Sequence, residues 1–129
     1  MESARATGIP VRREEELDGV LAAPAHHRVL FENQVVRVIE SVIPVGERTP
    51  LHTHRHHRVM YAVSGTSFAR RDERGAVIES THLPDGTAER RVMWAGPTEL
   101  HTIENTGDED LVVIAVEVRC EHRTGTLEG

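Results

Sequence analysis

The feature that most constrains the fold of this chain is a regular succession of short runs rich in valine and isoleucine, which begins at Arg28. Turn residues separate the runs, with a glycine or an aspartate in each of the segments PVGE, SGT, DERG, PDGT and NTGDED. Short apolar runs with such boundaries are typical of β-strands joined by tight turns. The runs are residues 28–32, 35–43, 57–65, 67–72, 76–83, 89–94, 99–105 and 111–119. Because no convincing helix lies among them, they predict an all-β jelly-roll β-barrel or sandwich.

The chain length of 129 residues fits a single domain. We expect residues 1–27 to form a polar N-terminal arm with at most a short helix around Arg13–Leu21, residues 28–120 to form the β-barrel, and residues 121–129 to form a polar C-terminal tail. Residues 112–116 are an unbroken apolar series, so the last strand must be covered on both faces. The arm or a second subunit would supply that cover, and we predict a homodimer.

Charge and residue usage exclude several functions. The net charge of -6 leaves no basic face for nucleic acid. All 15 basic residues are arginine, which excludes Schiff-base chemistry on lysine and a phosphate-binding loop with its lysine. Cys120 is the only cysteine, so an intrachain disulfide and a zinc site of several thiolates are excluded, and a reducing compartment fits. No apolar run has the length of a signal peptide or a bilayer span, so we expect a cytoplasmic protein without a membrane partner.

Four of the nine histidines lie within residues 52–57. If this segment is extended and runs into the next strand, alternate side chains share a face. His52, His54, His56 and Arg58 then point to one side. Two imidazoles at positions i and i+2 on the concave face of a barrel can bind one metal ion when another strand supplies a third donor. His101, in the run 99–105, is such a donor.

These residues resemble the two sequence motifs of the cupins. The first cupin motif reads G-x5-H-x-H, then three or four residues, E, six residues and G, and the second ends in H-x3-N. The start of the second motif is looser here, as WAGPTELH. The resemblance covers roughly residues 28–119 and implies the cupin jelly-roll fold, as in small single-domain bacterial cupins. The matching positions are Gly46, His52, His54 and Gly65 for the first motif, and His101 and Asn105 for the second.

The resemblance implies that His52, His54 and His101 bind a metal ion. Arg58 stands where the motif has glutamate, and a guanidinium cannot bind a metal. Three interpretations follow from this departure. Three histidines alone hold the metal, as in cupin-like thiol and diketone dioxygenases; His56 replaces the missing carboxylate; or the site has no metal, and its histidines are hydrogen-bonded lining residues.

The residues around Arg58 bear on the ligand. Arg58 either pairs with Glu99, which lies on the same face as His101, or binds a substrate carboxylate beside the metal. Both arrangements give the site positive character, which favours a small anion. Met60 is expected to line the cavity, and Trp94 either forms a wall of the pocket or packs in the core.

The expected function is that of a small metal-binding cupin that acts on or binds a small anionic metabolite, in particular a carboxylate. The cofactor would be a divalent Fe, Mn, Ni, Co or Zn ion, and an enzyme of this kind would catalyse a dioxygenase-like or lyase-like reaction. The alternative is a non-catalytic small-ligand-binding or sensor module, with or without a metal. The remaining histidines are expected to face solvent without a functional role: His26, His27, His82 and His122.

Overall fold

The computed structural model of the protein describes residues 18–83 and 91–119. The described chain consists of nine strands and one short helix. Predicted features at residues 1–17, in the PDGT turn, at Cys120 and in the tail lie outside the described residues. The elements are α1 Gly19–Ala22, β1 His27–Glu32, β2 Val36–Ile43, β3 His52–His54, β4 Arg58–Ser64, β5 Ser67–Arg71, β6 Val77–His82, β7 Val92–Ala95, β8 Thr98–Asn105 and β9 Leu111–Val118.

The strands form two antiparallel sheets. The five-stranded sheet has the order β1-β2-β9-β4-β7, and the four-stranded sheet has the order β3-β8-β5-β6. The predicted all-β class is confirmed, and each of the eight predicted runs overlaps one of these strands. The ninth strand, β3, holds the first two histidines of the cluster and ends at His54.

The two sheets enclose a cavity of about 370 Å³. Alternation along β9 turns Leu111, Ala115 and Glu117 inward, where all three are buried. Leu111 packs with Ile43 in a buried apolar cluster, and both residues also line the cavity. This cluster therefore forms part of the cavity wall.

Two residues of the cupin-like motifs have clear structural roles. Gly65 joins β4 to β5 with a φ of +118°, a value that residues with a side chain rarely adopt. A Cβ at this position would also lie 2.7 Å from the Leu111 side chain. Asn105 is buried at the end of β8. Its Nδ2 donates hydrogen bonds of 2.8 Å to the carbonyl oxygens of Ile43 and Glu109, so it ties the turn before β9 to the end of β2.

The helix α1 precedes β1 and packs against the sheets near the histidines. Asp18 caps it by accepting a hydrogen bond from the amide of Val20, and Asp18 also forms an isolated bridge with Thr53 of β3. The residues just before β1 therefore contact β3, the strand that carries His52 and His54. No helix in the described ranges is long and apolar enough to cross a membrane.

Candidate metal and anion site

Four histidines from three strands meet inside the cavity. His52 and His54 lie on β3. His101 lies on the neighbouring strand β8 and is the register partner of His52, and His27 begins β1 in the other sheet. Ring centroids are 4.5 Å apart for His52 and His101, 4.8 Å for His27 and His52, and 5.0 Å for His52 and His54. Potential ligand atoms of His27, His52 and His54 all lie within 4.8 Å of one another, so these three histidines could hold a metal ion.

Backbone carbonyl groups fix the orientation of three of these rings. A carbonyl oxygen can only accept a hydrogen bond, so each Nδ1 that contacts one must carry the proton. The Nε2 atom of the same ring then keeps its lone pair, which is the form that binds a metal. The Nδ1 contacts are His52 to Pro50 at 2.9 Å, His101 to Glu99 at 2.7 Å, and His27 to Ala23 at 3.0 Å.

The fourth ring faces a carboxylate instead. Nδ1 of His54 lies 3.7 Å from Oε2 of Glu117, and both atoms are buried without a hydrogen-bond partner among the described residues. Glu117 is fully buried, and its other oxygen lies 2.8 Å from Nη2 of Arg37, which in turn lies 2.9 Å from Asp18. The carboxylate therefore lies behind the His54 ring, beyond hydrogen-bonding distance of Nδ1, on the side where carboxylates are common behind metal-bound histidines.

The four histidines are neutral at neutral pH. Burial, and after it the neighbouring His101, lower the pKa of His52 to about 3. Burial likewise lowers the pKa of His101 to about 4 and holds the pKa values of His27 and His54 below the ordinary value. Because a neutral imidazole is the metal-binding form, these convergent donors fit a transition-metal ion.

Gly19 packs directly against two of the four rings. A Cβ at this position would lie 2.9 Å from Cε1 of His54 and 3.1 Å from Nε2 of His27. A side chain there would push on the edges of the rings that carry the donor atoms. The close approach of α1 to the histidines therefore requires glycine.

Three of the predicted ligand-binding residues border the cavity. Arg58 is buried, and its Nε and Nη1 lie 3.4 Å from the sulfur of Met60 and 3.5 Å from the carbonyl oxygen of Gly96. Met60 is half-buried and lines the cavity with Arg58. Trp94 on the edge strand β7 borders the cavity, but alternation with Met93 turns its ring to the outer face of the sheet, where it is 64% exposed and stacks on His57.

Glu99 and His56 lie elsewhere. The Glu99 side chain is exposed and is not part of the cavity lining; only its carbonyl oxygen contacts the site, through His101. The residue that faces Arg58 across the strand pair is Glu117 on β9. Residues 55–57 interrupt the strand between β3 and β4, so the expected alternation does not extend to His56, which lies outside the cavity lining.

Two buried residues at the site were missed by the sequence interpretation. His27 was expected to face solvent, and this was wrong: its partner in register is Ser41 on the inner face of β2, and this pairing turns the ring inward. Glu117 occupies the position after Leu111, Val113 and Ala115 in an alternating inward series. That alternation was the available signal for Glu117, whereas nothing in the local sequence indicates the register of His27.

Comparisons with known proteins give structural neighbours only. No family model matches the chain, and no curated protein matches it. A cupin domain from Bordetella pertussis Tohama I is 21% identical, with a TM-score of 0.59 over 71% of this chain and 90% of that chain. A protein with a double-stranded β-helix domain from Klebsiella pneumoniae is 17% identical, with a TM-score of 0.52 over 86% and 90% of the two chains. An RmlC-like cupin family protein from Methanocaldococcus jannaschii is 16% identical, with a TM-score of 0.51 over 71% and 77%. These likenesses show a shared fold.

Proposed function

We propose that this chain, which has the cupin fold, binds one divalent transition-metal ion through His27, His52, His54 and His101 and uses the ion together with Arg58 to bind a small carboxylate. The supporting observation is the set of four buried, neutral imidazoles, three of which have their Nδ1 atoms held by carbonyl oxygens. A bound ion of this kind would supply Lewis acidity toward an oxygen atom of the ligand. Iron, manganese, nickel, cobalt and zinc all accept imidazole nitrogen.

The residues of the chain supply the rest of the site. The Arg58 guanidinium is charged and buried, and planar N–H donors of this kind bind carboxylates in two-point fashion. Apolar side chains such as Ile43 and Leu111 also line the cavity, and charge interactions are stronger beside apolar groups than in water. A small anion would therefore be oriented with its carboxylate between Arg58 and the histidines.

A non-catalytic binding or sensor role is the second candidate, and one observation favours it. The two carboxylates that line the cavity are each close to an arginine: Glu117 lies 2.8 Å from Arg37, and Glu79 lies 3.3 Å from Arg70. Ion-paired carboxylates are poor general bases. A dioxygenase-like or lyase-like enzyme is expected to show turnover, whereas the binding module is expected to bind carboxylates without consuming oxygen or ligand.

The metal claim is tested by dialysing the protein against each of the five metal ions, measuring the bound metal by plasma mass spectrometry, and recording thermal unfolding. We expect one ion per chain and a raised unfolding temperature for at least one metal, because an ion that binds only the folded state stabilises it. His52→Ala should lose both effects, and the control His56→Ala should keep them. Equal metal binding by wild type and His52→Ala would refute the assignment. Oxygen uptake with thiols, diketones and short carboxylic acids then separates enzyme from binding module.

The outer face of the five-stranded sheet is proposed as a homodimer contact. Apolar residues align in two neighbouring rows across this face. The first row consists of Val38 on β2, Val116 on β9, Val59 on β4 and Trp94 on β7, and the second consists of Ile114, Tyr61 and Val92. Several of these apolar side chains are exposed, and an apolar face of this extent is typical of a protein interface. The single cysteine, Cys120, fits a cytoplasmic location for such a dimer.

A further inference from the structure

Two guanidinium groups face the cavity from opposite sheets. Arg58 begins β4 in the five-stranded sheet, and Arg70 lies on β5 in the four-stranded sheet. Both line the cavity, and their side chains are largely shielded from solvent. Burial lowers the pKa of Arg58 from the usual value; the nearby Glu117 raises it, and the like charge of Arg70 lowers it. Two cations that repel each other across a shielded cavity favour an anion between them.

Both guanidinium groups have N–H donors to spare. The hydrogen bonds of Arg58 among the described residues go to the sulfur of Met60 and the carbonyl oxygen of Gly96, at long distances of 3.4 Å and 3.5 Å. Nε of Arg70 is buried and lacks a hydrogen-bond acceptor in the described ranges, although Oε1 of Glu79 lies 3.3 Å away, outside hydrogen-bonding geometry. A guanidinium has five N–H donors, and a buried donor without an acceptor destabilises the protein. Carboxylate oxygens of a ligand would satisfy both groups.

Among residues 18–83 and 91–119, the charges around the cavity balance before any metal is added. Three arginines and three carboxylates lie in or directly behind the lining, and the histidines are neutral at neutral pH. A divalent ion would therefore leave an excess of two positive charges in a shielded space, which an anion of charge -2 would neutralise. The charged residues are Arg37, Arg58 and Arg70, with Asp18, Glu79 and Glu117.

We propose that the cavity binds a short aliphatic dicarboxylate, with one carboxylate on Arg58 beside the histidines and the other on Arg70. The inference builds on the proposed metal and carboxylate site and adds its second anchor and its ligand class. A dicarboxylate carries its two charges at separate ends, matching two guanidiniums on opposite sheets, whereas a phosphate concentrates its charge on one group. The cavity is also lined by the apolar side chains of Phe68, Met93 and Ile103, which suit a short hydrocarbon chain. A cavity of about 370 Å³ is near the small end of ligand pockets.

Isothermal titration calorimetry with succinate, glutarate, butyrate and inorganic phosphate tests the proposal on metal-loaded protein, with titration into matched metal-containing buffer as blank. We expect a dicarboxylate to bind about 10- to 100-fold more tightly than butyrate, as one extra charge-assisted contact provides. Arg70→Gln should remove that advantage, so that the dicarboxylates bind this variant no more tightly than butyrate does. Arg71→Gln is the matched control, because Arg71 is the next residue on β5 and pairs with Glu104, which is not part of the cavity lining.

Equal affinities for succinate, glutarate and butyrate, tighter binding of phosphate than of either dicarboxylate, or an Arg70→Gln variant with undiminished dicarboxylate preference would each overturn the proposal. Metal content is measured on the same samples. Failure of the proposed metal site can then be distinguished from failure of the second anchor at Arg70. A protein that takes up no metal but binds a dicarboxylate through Arg70 supports the second anchor and refutes the metal site. A metal-loaded protein without dicarboxylate preference supports the metal site and refutes the second anchor.

Discussion

Acidification of the metal-free protein from about pH 7 to about pH 5 is expected to destabilise it through its buried histidines. An unfolded histidine titrates near pH 6.5, whereas burial lowers the pKa of folded His52 to about 3 and that of His101 to about 4. Between these values the unfolded chain binds protons that the folded chain does not. The free energy of unfolding therefore falls as the pH drops below about 6.5.

The size of the effect follows from the two pKa values. Each histidine removes about 1.4 kcal/mol per pH unit below about 6.5, which is about 2 kcal/mol at pH 5. Together His52 and His101 account for about 4 kcal/mol, and the lowered pKa values of His27 and His54 add to it. A domain of this size has a total stability of about 5–15 kcal/mol, so the metal-free protein is expected to lose a large part of its stability.

Urea unfolding followed by circular dichroism, with a chelator present at both pH values, measures this loss. His101→Asn keeps a donor for the carbonyl of Glu99 but cannot take up a proton, so we expect its pH-dependent loss to be smaller by about 2 kcal/mol. His56→Asn is the control, since His56 lies outside the cavity. A wild-type midpoint that is the same at both pH values, or a His101→Asn variant with the full loss, would refute the buried, neutral state of these histidines.

Three further predictions concern other parts of the structure. Glu117→Gln is expected to weaken metal binding by about 10- to 100-fold, measured by competition with a chelator, because the carboxylate behind His54 is lost; unchanged affinity would contradict this role. Gly65→Ala is expected to destabilise the protein by about 1–3 kcal/mol in urea unfolding, because of its positive φ and its contact with Leu111. Tyr61→Arg is expected to convert a dimer to a monomer in light scattering after size-exclusion chromatography; a monomeric wild type would remove the proposed interface.

The fold could be predicted from the sequence because its determinants are local. Runs of valine and isoleucine bounded by turn residues identify eight of the nine strands, and Gly65 and Asn105 occupy motif positions whose roles the structure explains. The sequence predicts extended chain at the short strand β3, but it does not predict that the strand ends at His54. The break at residues 55–57 has no apolar or glycine signal, and it removes His56 from the alternating series.

The site was less predictable because it depends on register and on residues distant in sequence. The positions of His52 and His54 on β3 and of His101 on β8 follow from spacing along single strands. The inward orientation of His27 follows from pairing with β2, and the role of Glu117 follows from its proximity to Arg37 and His54, none of which is visible in a local pattern. The expected pairing of Arg58 with Glu99 rested on alternation alone, whereas strand order places β9 beside β4.

X-ray absorption spectroscopy of the cobalt- or zinc-loaded protein identifies the atoms that bind the metal ion. We expect a first coordination shell of nitrogen and oxygen at about 2.0–2.1 Å and the outer scattering of several imidazole rings. His27→Ala is expected to reduce the imidazole contribution, since His27 lies with His52 and His54 in the compact donor group. A loaded protein whose spectrum lacks imidazole scattering, or whose spectrum is the same for wild type and His27→Ala, would refute metal binding by these histidines.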